Sequence, residues 1–174
     1  MPNRIKLLQY GLLGILLMTM GLAGCSCPYS FTGASIPPHL KSLAIPYAND
    51  QSGSGEPALG QQFTTLLTQK FIDDNSFIIT DKSRSDAVLD CSILGISDTP
   101  AAITTGEQVQ ARRLNITVQV SYKDLKMKKT IFERQFSNYA DYPAVAGQAG
   151  RNEAIQQTLE KLTEDILLET VSGW

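Results

Sequence analysis

The stretch 112–123 constrains this chain more than any other. Leu114, Ile116, Val118, Val120 and Tyr122 alternate without a break with Asn115, Thr117, Gln119 and Ser121. Successive side chains of an extended strand point to opposite sides, so this segment predicts a strand with one face in a core and one face polar. A fold built around it must cover one side of a sheet and leave the other to water or to a polar partner.

The rest of the pattern supplies the cover. Residues 58–73 place Leu59, Phe63, Leu66, Leu67 and Phe71 on one stripe at helical spacing, and 151–171 do the same with Ile155, Leu159, Leu162 and Ile166. A first strand is expected over 39–48, with Leu43 and Ile45 on one face, followed by a Gly/Ser/Asp loop over 49–57. A short strand is expected over 76–80, a polar turn over 81–86, and a strand over 87–97 burying Leu89, Cys91 and Ile93. Residues 98–109 read as a polar, threonine-rich connection. A basic turn over 123–129 then leads to a returning strand, 130–138, with Phe132 and Phe136 on one face, which makes an antiparallel hairpin. Together these predict an α+β two-layer sandwich: a mostly antiparallel sheet of about four to five strands, covered on one face by two helices.

The N-terminus is of another kind. Arg4 and Lys6 precede an apolar run from Leu7 to Met20, and Leu22-Ala23-Gly24-Cys25 follows. A positive start, a short apolar stretch and small residues before a cut are the parts of an export signal. The run falls short of the ~18–20 apolar residues that a spanning helix needs, and glycines at 11, 14 and 21 interrupt it. An uncleaved membrane anchor is the alternative. Leu-Ala-Gly-Cys resembles the lipobox of bacterial lipoproteins, which implies that the Cys25 sulfur takes a diacylglyceryl group and that the leader is cut before it. Two or three acyl chains hold a protein on a membrane where one does so only marginally. Ser26, rather than an aspartate, follows the cysteine, which favours the outer membrane. The expected organisation is a signal peptide over 1–24, a lipidated arm over 25–38 and a single domain over 39–174.

About 150 residues remain after the leader, enough for a real core. The formal net charge of −2 gives no reason to expect nucleic-acid binding. Of the three cysteines, Cys25 is assigned to lipid. Cys27 and Cys91 could pair in an oxidising periplasm, or Cys91 could pack in the core as part of an apolar strand. The single histidine, His39, reads as a surface residue, and no G-x-S-x-G or S-x-x-K motif accompanies it. No clustered ligands predict a metal site, the Asp73-Asp74 pair sits at a helix end, and Gly53 and Gly55 lack the Lys-Ser/Thr of a phosphate loop. The expectation is a non-enzymatic protein without a cofactor. Its candidate contacts for lipopolysaccharide or a partner are basic: Arg112 and Arg113 at the head of the long strand, and Lys126, Lys128 and Lys129 in the turn after it. Arginine suits phosphate, whereas lysines in a hairpin turn also serve simply to keep it soluble.

The ordered features resemble the LptE-like lipopolysaccharide-assembly lipoproteins. The likeness rests on Tyr29-Ser30-Phe31-Thr32-Gly33-Ala34-Ser35-Ile36-Pro37-Pro38, then Leu40-Lys41-Ser42-Leu43-Ala44-Ile45. Further echoes are Arg113-Leu114-Asn115-Ile116-Thr117-Val118, the segment from Phe132 to Tyr139, and a last helix ending near Trp174. The resemblance implies a sheet backed by two helices on a protein at the inner leaflet of the outer membrane. It also implies a complex with the large LptD-type barrel, whose lumen the protein plugs and whose assembly it assists, with lipopolysaccharide as a further contact. The competing readings are a lipid-anchored binding or scaffolding module of another envelope complex and, more remotely, an envelope hydrolase.

Overall fold

A computed structural model describes residues 36–56, 58–103 and 109–172. The expected leader, the lipidation site Cys25, Cys27 and Trp174 lie outside them. The described elements are β1 (Ser42–Ala44), β2 (Asn49–Asp50), α1 (Leu59–Asp74), β3 (Ile78–Ile79), β4 (Ala87–Ile103), β5 (Val109–Asp124), β6 (Lys129–Pro143), a 3-10 turn (Ala144–Ala146) and α2 (Gly147–Ser172). Strand order is β3-β1-β4-β5-β6, with β2 also paired to β4. The long strands β4, β5 and β6 are antiparallel, and the short β1, β2 and β3 run parallel to their partners. The result is an α+β sandwich with an open, mixed sheet.

The core follows the alternation in β5. Leu114, Ile116, Val118, Val120 and Tyr122 are all fully buried. Register carries the same face onto the neighbours, with Val118 opposite Ile93 on one side and Phe136 on the other. Above this face α1 buries Leu59, Phe63, Leu67 and Phe71, with Leu66 packed at its margin, and ends at Asn75. There φ is 58°, and the Asn75 N–H closes onto the Phe71 carbonyl at 3.2 Å. Asparagine enters this left-handed region more readily than most residues, so it can serve as the helix stop. α2 buries Ile155, Leu159, Leu162 and Ile166, and its buried Thr158 and Thr170 hydroxyls donate to carbonyls one turn back at 2.7 Å. α2 lies on β5 and β6, while α1 lies beside it toward β2 and β3. Lys70 and Glu164 pair at 3.1 Å between the helices. A chain of rings from Phe71 through Phe77, Tyr122 and Phe132 to Phe136 links the two layers, at centroid spacings of 5.6–6.5 Å. Each such side chain contributes about 1.5–3 kcal/mol by leaving water, which makes this one core the main source of stability.

Four expectations change. The first strand is not continuous over 39–48: β1 holds only Ser42–Ala44, because 37–40 turn back with the Leu40 N–H on the Pro37 carbonyl and Pro46 has no N–H for a ladder. Leu43 is buried as expected, whereas Ile45 is only half-buried. The 49–57 loop contributes β2 at its start. Residues 98–109 do not form a long connection, since β4 runs to Ile103 and β5 begins at Val109. Within the described part, the polar Asp98 is paired with Arg112 across the sheet, and Thr99 is a residue type that suits a strand. The last strand likewise runs on to Pro143. Cys91 is buried in the core as an unpaired thiol among the described residues, which do not include Cys27, and loss of solvation pushes its pKa up to about 12.

Candidate functional site

The residues that alternate with the core form an open, polar sheet face turned away from the helices. On β5 they are Arg113, Asn115, Thr117, Gln119 and Ser121, and β6 sets Asp141, Tyr139, Ser137, Gln135 and Glu133 opposite them in that order. The side chains bond across the strands: Thr117 to Ser137 at 3.2 Å, Ser137 to Asn115 at 3.0 Å, and Gln119 to Glu133 at 3.3 Å. Such a ladder of donors and acceptors is held in place by its own backbone and can meet a polar surface without large rearrangement.

Arg113 closes one end of this face. Its guanidinium donates twice to Asp141, at 2.7 and 2.8 Å, and lies 4.0 Å over the Tyr139 ring. The bidentate bonds raise the arginine's pKa and hold the Asp141 carboxyl below its ordinary value. Lys161 reaches round from α2 to the Tyr139 carbonyl at 2.8 Å. Tyr139 stays 46% exposed, which leaves an aromatic and cationic surface at this corner.

Arg112 is elsewhere. The strand alternation sends it to the helix side, where it donates to the Asp98 carboxylate at 2.8 Å and to its backbone carbonyl at 3.0 Å. The same carboxylate accepts from Tyr142 at 2.5 Å and lies 3.6 Å from Arg151, which in turn pairs with Glu56. The neighbouring arginines therefore occupy opposite faces, and Arg112 belongs to a network that ties β4, β5, β6 and α2 together.

The basic turn divides as well. Lys126 binds Asp86 at 2.8 Å and the His39 carbonyl at 2.9 Å, so it is an internal tie. Lys128 and Lys129 are exposed, and among the described residues neither forms an ion pair.

Beside them lies a cluster that sequence reasoning missed. His39 is half-exposed, as expected of a surface residue, but its Nε2 meets the Asp124 carboxylate at 2.6 Å. Asp124 is buried and also accepts the Met127 N–H at 2.8 Å. Burial opposes its ionisation, but the bonds from His39 and Met127 outweigh that and hold its pKa below the ordinary value. Asp86 is held far lower, by Lys126 first and then by the backbone N–H groups of Lys41 and Ser42. One signal was available: Asp124 continues the even-numbered, buried side of the β5 alternation, and Arg112 begins it. A carboxylate at such a position requires a partner.

These surfaces have the chemistry of binding, through exposed polar ladders, one stacked arginine and free ammonium groups. Among the described residues no group of three His, Cys, Asp or Glu comes together as metal ligands, and no helix is long and apolar enough to cross a membrane.

Comparison with known proteins places the chain. Among curated proteins none matches it. Among the solved structures similar to this chain, three illustrate the shared fold. A protein from Xanthomonas campestris is 15% identical with a TM-score of 0.61, covering 78% of this chain and 89% of that one. A hypothetical protein from Chlamydia trachomatis is 10% identical with a TM-score of 0.58, covering 78% and 97%. Rare lipoprotein B from Shewanella oneidensis is 13% identical with a TM-score of 0.55, covering 76% and 96%. The model of the LptE family, described as lipopolysaccharide-assembly, matches residues 40–170 and so covers every described strand, α1 and nearly all of α2. With most of its length matched in this way, the chain belongs to the LptE, lipopolysaccharide-assembly, family.

Proposed function

We propose that this protein is a non-enzymatic lipoprotein, held on the periplasmic side of the outer membrane by lipid on Cys25. It would partner and plug an LptD-type barrel in lipopolysaccharide assembly. Family membership supports the process. The observation that carries the partner is the open face of β5 and β6, a broad polar ladder that neither helix covers. The interior of a large outer-membrane barrel is polar too, so a plug would present a surface of this kind to it. Of the five basic residues singled out by sequence, Arg113 is the best placed for a lipopolysaccharide phosphate, because it and Tyr139 share that face.

The test is to extract the tagged, natively lipidated protein in mild detergent and identify what co-purifies. A large outer-membrane barrel in equal amount is expected. Recovery of the protein alone, or with a different envelope complex, would overturn the plug reading in favour of a scaffolding module. Replacing Cys25 by alanine should stall the unprocessed precursor, and a membrane-bound, normally sized product would remove the anchor. Arg113→Glu should weaken lipopolysaccharide binding and Arg112→Met should leave it unchanged; the reverse order would refute the assignment.

A further inference from the structure

We infer that the β5–β6 hairpin tip is a docking site for the anionic phospholipid surface of the membrane that carries the lipid anchor. The inference rests on the Cys25 anchor proposed above and adds where on the domain the bilayer is met.

Three observations lead to it. Among the described residues, the chain that leads toward Cys25 is tied to this hairpin at His39. Lys126 holds the His39 carbonyl, Asp124 holds the His39 ring, and the Leu125 N–H donates to the Asp86 carbonyl at 2.8 Å. His39, the histidine just after the expected arm, therefore lies at this end of the domain. Next, the tip combines the two features that an interfacial contact needs. Met127 is 69% exposed at its apex, flanked by Lys126, Lys128 and Lys129. Exposed apolar side chains among lysines bind anionic bilayers by partial insertion and by attraction to the headgroups. Finally, a shallow cavity of about 230 Å³ lies at the hairpin tip itself, lined by Lys123, Asp124, Leu125, Lys128, Lys129 and Thr130. Its one carboxylate, Asp124, is buried and turned onto His39 and the Met127 N–H, so the rim facing solvent is cationic. A headgroup phosphate is the ligand such a rim fits. Asp86 and Asp90 are engaged by Lys126 and by Lys82 and Lys123, so the cations that remain for a headgroup are Lys128 and Lys129.

The experiment uses the full, lipidated protein in vesicles of phosphatidylcholine, alone or mixed with phosphatidylglycerol. In a Cys27→Ser background, Met127→Cys carries an environment-sensitive fluorophore, and the buried Cys91 stays unlabelled. Val145→Cys, 96% exposed beyond the far end of β6, is the control. The expected result is a blue-shifted, quencher-protected signal at position 127 with phosphatidylglycerol, absent with phosphatidylcholine and absent at position 145. Each lysine near an anionic surface alters the docking equilibrium about fivefold, so removing these two charges should lower it by about 25-fold, and reversing them with Lys128→Glu and Lys129→Glu should lower it further. Lys128→Asn with Lys129→Gln gives a milder loss and a second check, since Asn tolerates the left-handed backbone at 128, where φ is 53°. Equal signals in both vesicle types, or no effect of the lysine changes, would overturn the inference. So would a response to added lipopolysaccharide with phosphatidylglycerol vesicles silent. Flotation separates the two levels: protein that fails to float with vesicles defeats the anchor and the docking site together, whereas protein that floats with a silent tip defeats the docking site alone.

Discussion

Removing the Asp124 carboxylate tests whether the His39 cluster holds the arm to the domain. Asp124 is 4% exposed and accepts two hydrogen bonds, from His39 at 2.6 Å and from the Met127 N–H at 2.8 Å. A hydrogen bond to a charged group contributes about 1.5–3 kcal/mol, and a donor left buried without a partner costs a similar amount. His39 is 36% exposed and regains water when the carboxylate goes, so its share belongs at the low end. Asp124→Ala should then cost about 2–4 kcal/mol, a large fraction of the ~5–15 kcal/mol typical of a domain. Urea denaturation reads this as a midpoint lower by about 1–2 M at slopes of ~1–3 kcal/mol/M. Limited trypsin digestion at Lys41 should accelerate, because the turn before it loses its tie. His39→Ala should cost less, about 1 kcal/mol, and adding it to Asp124→Ala should change little, since both remove the same bond. The effect also carries a sign with pH. The folded carboxyl titrates below its unfolded value of about 3.9, so its contribution is fully present above that pH and is lost as pH falls through the folded pKa. A loss below about 1 kcal/mol at neutral pH, with Lys41 cleavage unchanged, would refute the reasoning.

The same linkage applies more strongly to Asp86, whose carboxyl is held far below the ordinary range by Lys126 and the Lys41 N–H. Wild-type stability should fall steadily below about pH 5, and Asp86→Asn should flatten that fall while lowering stability at pH 7; parallel acid curves would show that another group is responsible. Gly60→Ala should gain about 1 kcal/mol in helix propensity yet lose more than that. Its Cβ would stand 2.8 Å from the Ala48 carbonyl oxygen, a backbone atom with little room to move, and a raised melting temperature would refute this. Cys91, buried with its pKa pushed up to about 12, should resist alkylation until denaturant is added, and prompt labelling of the native protein would contradict its place in the core.

What the chain determines by itself is the identity of its elements and the two characters of its sheet. Both helical stripes, the alternation in β5 and the hairpin into β6 are local periodicities, written within a few residues of one another and set by backbone geometry. They yield the α+β sandwich and its open polar face without knowledge of any long-range contact. Even the separation of Arg112 from Arg113 was legible, because adjacent strand residues face opposite ways, although composition alone invited reading them as one basic patch. What stayed hidden has no local signature. The polar run after Ser97 resembles a loop until Arg112 is seen to pair with Asp98, and His39 resembles a lone surface group until Asp124, 85 residues on, arrives beside it. The mixed sheet is of the same kind, since β1 and β2 earn their parallel places only by lying along β4. Periodicity records which face of an element is buried. Which partner meets that face depends on chain crossings over the core, and only the tertiary structure decides them.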